Sequence, residues 1–210
     1  MRHGRTAWNR ERRFQGHTDV PLDEEGRAQA QALAAYLADE RFDLALASDL
    51  ARAWETAAAI GAAAGVRVER EPRLREMRFG DWEGLRWDEI VARTPGLAHA
   101  SEKAPRSYVP KGGEAFEDVC ARVAPVIAAV AQRLPPEGRA LIVSHAGVMH
   151  ALLRVALGEA GAAALNVTFV PAAIMRLTGS GLPGAPWSVL RVNETAVPES
   201  RPPRPGSGSR

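Results

Sequence analysis

The sequence has few of the residues that mark disulfide-rich, zinc-binding or membrane proteins. Cysteine occurs once, at Cys120, in a chain of 210 residues, which excludes an internal disulfide framework and a cysteine-rich zinc site. No apolar run reaches the roughly 18 residues that span a bilayer. Residues 1–4 lack the apolar segment of a secretory signal. We therefore expect a cytoplasmic protein with no membrane partner.

The sequence also has little net positive charge outside its last fifteen residues. The net charge is +2, and residues 196–210 carry three arginines against one glutamate. The remaining body is near neutral, so we expect no nucleic-acid partner. The same end segment is rich in proline, glycine and serine. We predict a disordered tail at 196–210 that follows a single domain at 1–195.

Helical and extended patterns alternate through the first 195 residues. The helical patterns cover residues 23–40, 51–64, 116–130 and 147–157. The extended patterns cover residues 42–47, 66–69, 140–143, 169–177 and 187–192. This alternation predicts an α/β fold with a largely parallel sheet. Pro125 falls inside the third helical pattern, where we expect a bend or a shifted helix boundary.

Several side chains capable of chemistry follow the predicted strands, where ligands bind in open α/β sheets. His145 follows the strand at 140–143, Arg52 follows the strand at 42–47, and Arg75 and Glu76 follow the strand at 66–69. His3 precedes a loop rich in polar residues. An isolated histidine is more often structural than catalytic, so only the whole set indicates a site.

Phosphate transfer requires this set of residue types. Guanidinium groups such as Arg2 and Arg52 bind phosphate oxygens in bidentate fashion, and a neutral imidazole can attack phosphorus. A carboxyl group such as Glu76 can protonate the leaving alcohol and later deprotonate water. A second, partly protonated imidazole can hold an equatorial oxygen. Amides at a helix N-terminus, at Ala146 or Gly147, would add donors.

Four ordered motifs make the assignment more specific. They are Arg2-His3-Gly4-x-Thr6-x-x-Asn9 with Phe14-Gln15-Gly16, then Ser48-Asp49-Leu50-x-Arg52, then Leu74-Arg75-Glu76 with Gly80-x-Trp82-Glu83-Gly84, and finally Val143-Ser144-His145-Ala146-Gly147. In order and spacing the sequence resembles the histidine phosphatase superfamily, phosphoglycerate-mutase-like branch. The resemblance runs from Arg2 to about residue 192.

The resemblance implies a role for each matching residue. His3 is the expected nucleophile, Glu76 the general acid and base, and Arg2, Arg52 and His145 the rest of the catalytic set. The expected phosphate-binding residues are Gly4, Thr6, Asn9, Gln15, Gly16, Ala146 and Gly147. The family has a three-layer α/β/α sandwich and uses neither metal nor cofactor.

The resemblance favours a phosphomonoesterase that hydrolyses a small phosphorylated metabolite through a covalent phosphohistidine. The segment at 85–113 is short for a mutase, and Gly80-x-Trp82-Glu83-Gly84 is the form that we associate with phosphatases. A sugar phosphate or a phosphoglycerate-type ester is the expected substrate. Two alternatives stay open, a phosphoglycerate-type mutase and a non-catalytic phosphate-binding relative. A homodimer is also left open, because two-fold dimers are the commonest oligomers.

The sequence departs from the family pattern in two places. Family members carry an apolar strand before Arg-His-Gly, whereas Met1 here directly precedes Arg2. We therefore expect a truncated N-terminal strand and lower stability than in a form extended by that strand. Arg5 stands where an acidic residue is common. It adds positive charge near the pocket and favours a more anionic substrate, unless its side chain faces solvent.

Overall fold

The structure, a computed structural model, describes residues 1–94, 97, 108–165, 167–179 and 187–196. The α-helices in these ranges are α1 Ala7–Arg10, α2 Glu24–Leu37, α3 Ala51–Ala64, α4 Trp87–Arg93, α5 Phe116–Arg133 and α6 Ala146–Ala164. The strands are β1 Leu44–Ala47, β2 Val68–Arg70, β3 Ala140–Val143, β4 Ile174–Gly179 and β5 Trp187–Glu194. Apart from its first residue, the tail predicted at 196–210 lies outside the described residues.

The central sheet is parallel, as the alternating pattern predicts. β1 lies between β2 and β3 and pairs in parallel with both, with Leu46 opposite Glu69 on one side and Ile142 on the other. β4 and β5 form an antiparallel pair. The carboxyl ends of the three parallel strands therefore meet at one edge, which is where the site was expected.

The central strand sends alternate side chains to opposite faces of the sheet and so defines three layers. Ala45 and Ala47 pack in one buried cluster with apolar residues of α2 and α3. Leu44 and Leu46 pack in a second cluster with apolar residues of α5 and α6. The two helical layers thus lie on either side of the sheet, and the predicted α/β/α sandwich is confirmed.

Local sequence signals mark some of the helix ends. Asp23 caps α2 by accepting a hydrogen bond from the Gly26 amide at 2.7 Å, and Gly65 ends α3 in the left-handed conformation with φ 68°. α5 runs through Pro125 to Arg133, so the predicted boundary shift is wrong. The buried apolar stripe on α5 packs against the sheet on both sides of that proline, which favours an unbroken helix.

The first three residues occupy a strand position between β3 and the segment that leads into β4. The Ser144 amide donates to the Met1 carbonyl at 2.9 Å, and the His3 amide donates to the Ser144 carbonyl at 3.0 Å. On the other side, the Arg2 amide donates to the Ala173 carbonyl at 2.9 Å. This pairing fixes His3 at the carboxyl end of the sheet.

β3 and β4 are left without a strand between them along most of their length within the described residues. The Met1 amine is buried there and donates to the Ile142 carbonyl at 2.6 Å. Burial lowers the pKa of this amine to about 5, because a charged ammonium loses its hydration.

We predict that an apolar strand of about five residues added before Met1 stabilises the fold. It would pair with the facing edges of β3 and β4 and move the buried amine away from the core. Each apolar side chain that it buries contributes about 1.5–3 kcal/mol, so the melting temperature should rise by at least about 5 °C. Thermal unfolding followed by circular dichroism measures this.

A glycine-serine extension of equal length is the control, because it lacks side chains to bury. Equal melting temperatures for the apolar and the glycine-serine forms would show that the space between β3 and β4 does not accept a strand.

Among the described residues, no helix is both long and apolar enough to cross a bilayer.

Candidate active site

The five side chains expected to carry the chemistry come together at the carboxyl edge of the parallel strands. His3, Arg52 and His145 are almost completely buried. The rings of His3 and His145 meet edge to face, with 5.1 Å between their centroids. A cavity of about 180 Å³ adjoins them and is lined by Arg2, His3, Asn9, Arg12, Arg13, Phe14, Gln15, Arg52, Glu76 and Phe79.

The hydrogen bonds of His3 fix its tautomer. Its Nδ1 lies 2.6 Å from the Gly4 carbonyl oxygen, and because a carbonyl only accepts, Nδ1 must carry the proton. In the neutral ring, Nε2 then keeps its lone pair. Burial lowers the pKa of His3 well below its ordinary value, and the positive charges of Arg52 and Arg2 lower it further. His3 is therefore a neutral imidazole with an available nitrogen lone pair.

His145 is held in the opposite tautomer. Arg52 Nε donates to His145 Nδ1 at 3.2 Å, so the ring proton is on Nε2, which donates to Ser48 Oγ at 2.9 Å. Burial, followed by the charge of Arg52, lowers the pKa of His145 well below its ordinary value. The expected partly protonated second imidazole is therefore not observed. Both ring nitrogens contact protein groups, and His145 lies beneath the cavity wall.

Arg52, at the start of α3, is a fully buried cation. Its Nη1 donates to the Thr18 carbonyl at 3.0 Å and its Nη2 to the Gly16 carbonyl at 2.8 Å. Burial lowers the pKa of Arg52 to about 10, which still leaves it charged at neutral pH. Three of its five N–H groups have acceptors among the described residues. Two remain for an anion in the cavity.

Arg2 supplies a second buried guanidinium group. Its Nη1 donates to the Phe169 carbonyl at 2.6 Å, and burial lowers the pKa of the guanidinium group. Its Nε is buried and has no hydrogen-bond acceptor among the residues that the structure describes. An unsatisfied buried donor is costly, and here it belongs to a side chain that lines the cavity. Arg2 is thus suited to bind an anion.

Glu76 lines the same cavity as His3. Its Oε1 accepts from the Met77 amide at 2.8 Å and from the Gly147 amide at 3.0 Å. The Gly147 amide, expected to bind phosphate, is therefore engaged by Glu76. Any side chain at position 147 would collide with Glu76 Oε1, which explains the glycine. The Glu76 carbonyl accepts from Arg122 Nη2 and His17 Nε2, which fixes the backbone.

Two amide side chains line the cavity beside the arginines. Thr6 is buried, and its hydroxyl lies 3.1 Å from Asn9 Oδ1 and 3.0 Å from Gln15 Oε1. The Thr6 amide also donates to Asn9 Oδ1 at 3.1 Å. Because their oxygens are engaged by Thr6, Asn9 and Gln15 retain their NH₂ groups as donors. Thr6 itself does not line the cavity and positions the other two.

Gly4 and Gly16 were expected to bind phosphate, but their carbonyls bind the side chains of His3 and Arg52 instead. The Gly4 carbonyl binds His3 Nδ1, and the Gly4 amide donates to Thr56 Oγ at 3.1 Å. Gly16 has φ 53°, and its carbonyl accepts from Arg52. A side chain at position 16 would collide with Glu83 Oε1. Ala146 is the first residue of α6 and packs in the apolar cluster that contains Phe169.

Two arginines that the sequence places near the site are neutralised elsewhere. Arg75 forms a two-pronged ion pair with Asp49, at 2.8 and 2.6 Å. Arg5 binds Asp23 at 2.8 Å and also pairs with Glu25. The hypothesis that Arg5 adds positive charge to the pocket is therefore wrong, because two carboxylates at the start of α2 compensate it.

Three residues with a part in the site had no role assigned from the sequence, although Ser48 and Glu83 stand in the motifs. Ser48 follows β1 directly, so the strand-end rule that selects His145 could have found it. Glu83 accepts from the amides of His17, Thr18 and Phe79 at 2.9–3.1 Å, and so clamps the loop that binds Arg52. Arg12 lines the cavity, and no sequence signal distinguishes it from its neighbours Arg10 and Arg13.

The groups around this small cavity meet the requirements of phosphoryl transfer. They are a neutral imidazole with a free nitrogen, two buried guanidinium groups and a carboxyl group. The site thus belongs to the class that transfers a phosphoryl group from a monoester. Among the described residues, no group of three or more histidine, cysteine, aspartate or glutamate side chains is arranged to hold a metal ion.

Comparisons with known proteins agree with this class. Residues 1–195 match the model of the histidine phosphatase superfamily, branch 1. Glucosyl-3-phosphoglycerate phosphatase from Mycobacterium tuberculosis is 38% identical over 159 residues, which cover 72% of this chain and 71% of that protein. Phosphoglycerate mutase-like protein 4 from Arabidopsis thaliana is 37% identical over 155 residues, which cover 72% of this chain and 67% of that protein.

A solved structure is similar over nearly the whole fold. It is the complex of a mycobacterial glucosyl-3-phosphoglycerate phosphatase with inorganic phosphate. The TM-score is 0.82 at 32% identity, and the match covers 93% of this chain and 95% of the other. The chain therefore belongs to the histidine phosphatase superfamily. The prediction of a phosphoric monoester hydrolase is confirmed.

We predict that the two buried histidines make stability depend on pH below neutrality. Their folded pKa values lie well below 6.5, while the unfolded chain takes up these protons near pH 6.5. The unfolded state therefore binds more protons as the pH falls below about 6.5. The free energy of unfolding should fall by roughly 1.4 kcal/mol per pH unit for each histidine.

Urea unfolding between pH 7 and 5 measures this slope. His145→Asn removes one of the two titrating groups and should reduce the slope by the equivalent of one proton. Contributions from the Met1 amine and from carboxylates are common to both proteins and cancel in the comparison. Parallel curves for wild type and variant would contradict a buried neutral His145.

Proposed function

We propose that the chain hydrolyses a phosphate monoester in two steps through a phosphohistidine at His3. In the first step, the lone pair of His3 Nε2 attacks phosphorus. The nitrogen–phosphorus bond forms as the bond to the ester oxygen breaks, and Glu76 protonates the leaving alcohol. Arg2 and Arg52 bind the phosphate oxygens and stabilise the charge that spreads over them in the transition state.

The second step regenerates the free imidazole. Glu76, now a carboxylate, removes a proton from a water molecule whose oxygen attacks phosphorus. The nitrogen–phosphorus bond breaks, inorganic phosphate leaves, and Glu76 is again protonated. His145 acts in both steps by holding Arg52 Nε through its own Nδ1, so its role is to position the guanidinium group.

The observation that carries the proposal is the hydrogen bond from His3 Nδ1 to the Gly4 carbonyl. It leaves Nε2 as the only His3 nitrogen with a lone pair, in a cavity that Arg2 and Arg52 also line. Both guanidinium groups have N–H donors without an acceptor among the residues that the structure describes. A doubly charged phosphate would satisfy these donors and balance the two positive charges.

A phosphoglycerate-type ester is the substrate class that we favour. The M. tuberculosis relative is named for glucosyl-3-phosphoglycerate, and the A. thaliana relative is named after phosphoglycerate mutase. Both names refer to a three-carbon acid that carries a phosphate. The cavity of about 180 Å³ is smaller than the roughly 300–1,000 Å³ of pockets for drug-sized ligands. It is suited to the phosphate and the atoms next to it, while a larger substituent would extend outward.

Phosphate release from p-nitrophenyl phosphate and from a panel of phosphate esters, with a chelator present, tests the proposal. His3→Ala should lower kcat by at least about 10³-fold, because the nucleophile is lost. His150→Ala, which changes a histidine on α6 outside the cavity lining, is the matched control and should retain activity. Chelator-sensitive hydrolysis that survives in His3→Ala would overturn the proposed mechanism.

Glu76→Gln separates the two steps. The glutamine keeps an oxygen for the Met77 and Gly147 amides but can neither donate nor accept the transferred proton. p-Nitrophenolate leaves without protonation, so the first step should survive and the second should slow by about 10²–10⁴-fold. Rapid mixing should show a burst of nitrophenol equal to the enzyme concentration. A variant with steady turnover and no burst would exclude Glu76 as the base.

The same experiments distinguish hydrolysis from mutase activity. A mutase would transfer the phosphoryl group to a phosphoglycerate acceptor in preference to water. With added phosphoglycerate, recovery of every transferred phosphoryl group as free phosphate, with no bisphosphorylated acid formed, supports the hydrolase.

A further inference from the structure

One arginine at the cavity has no ion-pair partner among the described residues. Arg12 lines the same cavity as His3 and Arg52, is exposed to solvent, and forms no ion pair within the described parts of the chain. Its neighbour Arg13 differs in this respect, because it binds Glu11 at 2.8 Å, Glu89 at 3.2 Å and the Gly84 carbonyl at 2.7 Å. Arg13 is thus occupied by the fold, whereas Arg12 is available.

The backbone holds Arg12 in a conformation that long side chains rarely adopt. Its φ is 56°, in the left-handed region that costs a non-glycine residue about 1 kcal/mol. The Arg12 amide donates to the Asn9 carbonyl at 3.2 Å, which closes the turn after α1. Strain of this kind persists only where the surroundings impose it, and it is concentrated at functional sites. Here it places a guanidinium group at the cavity.

The other three arginines that line the cavity are already engaged. A phosphate dianion would bind Arg2 and Arg52, and Arg13 forms ion pairs with both Glu11 and Glu89. Glu76 must be protonated when it donates a proton to the leaving alcohol, so it is neutral at that stage. Among the described residues, Arg12 is therefore the cavity arginine whose guanidinium group is not held by a carboxylate or by the phosphate.

We infer that Arg12 binds a carboxylate on the alcohol part of the substrate and so selects phosphorylated acids over phosphorylated neutral alcohols. A guanidinium group pairs with a carboxylate through two parallel hydrogen bonds, and a single negative charge matches its single positive charge. A phosphorylated three-carbon acid carries the carboxylate only a few bonds from the phosphate, which suits groups that share one small cavity. This inference rests on the proposed function and adds the substrate selectivity of the same site.

Two esters that differ in one group provide the test. 3-Phosphoglycerate and glycerol 3-phosphate share a three-carbon chain and a phosphate, but the first has a carboxylate where the second has a hydroxymethyl group. For wild type, we expect kcat/KM to favour 3-phosphoglycerate. In Arg12→Gln, the ratio of the two kcat/KM values should fall about tenfold, chiefly through a higher KM for 3-phosphoglycerate.

Two further variants separate charge from structure. Arg12→Lys keeps the charge without the fork of donors and should restore part of the ratio. Arg10→Gln removes an exposed arginine that lies on α1 outside the cavity lining, and it should leave the ratio unchanged. Added salt should also lower the ratio of wild type, because the exposed pair is screened.

Two results would overturn the inference. They are equal kcat/KM values for the two esters in wild type, and a wild-type ratio of these values in Arg12→Gln, whether or not both fall. Each of these is compatible with hydrolysis that depends on His3, so the proposed function would stand. If wild type hydrolyses neither ester nor p-nitrophenyl phosphate, the proposed function fails first and the inference fails with it.

Discussion

The buried guanidinium group of Arg52 is the interaction on which the site depends. A cation without water is costly unless hydrogen bonds replace its hydration, and the acceptors here come from distant parts of the chain. The carbonyls of Gly16 and Thr18 belong to the loop before α2, and His145 belongs to the turn between β3 and α6. One side chain therefore joins three segments that approach the same edge of the sheet.

The arrangement around Arg52 also explains the unusual state of the two histidines. Arg52 Nε needs an acceptor, so His145 must present an unprotonated Nδ1 and turn its Nε2 proton to Ser48. Burial lowers the pKa of both rings, and the positive charge of Arg52 lowers it further, which keeps His3 neutral as a nucleophile must be. Arg52 thus contributes to both the geometry and the protonation state of the histidines.

Glu83 supports this arrangement from outside the cavity. Burial alone would raise its pKa, but hydrogen bonds from Thr18, His17 and Phe79 lower it instead, so the carboxylate is kept charged by the loop that it holds. That loop carries the two carbonyls that bind Arg52. Residue 16 is glycine, and any side chain at this position would collide with Glu83. The backbone at 16–18 thus binds both charges, because its carbonyls accept from Arg52 and its amides donate to Glu83.

Much of this could be predicted from the sequence, because the relevant signals are local. The strand patterns identify β1 and β3, and His145 and Arg52 follow them at the edge where ligands bind to parallel sheets. The contacts between these side chains could not be predicted in the same way. The Gly147 amide binds Glu76 across 71 positions of sequence, and Arg5 finds its carboxylates only because α2 begins beside it. Such contacts depend on how elements pack and leave no periodic trace in the sequence.

The charges around the site explain how a nearly neutral domain can bind a strongly negative substrate. Several arginines near the cavity have carboxylate partners that cancel their charge, as Arg13 has Glu11 and Arg75 has Asp49. Arg2 and Arg52 differ because backbone carbonyls and a neutral imidazole satisfy them without cancelling their charge. A carbonyl replaces hydration, whereas a carboxylate would also remove the attraction for an anion. The positive field of the cavity therefore arises from the choice of hydrogen-bond acceptor for each arginine, and the number of arginines matters less.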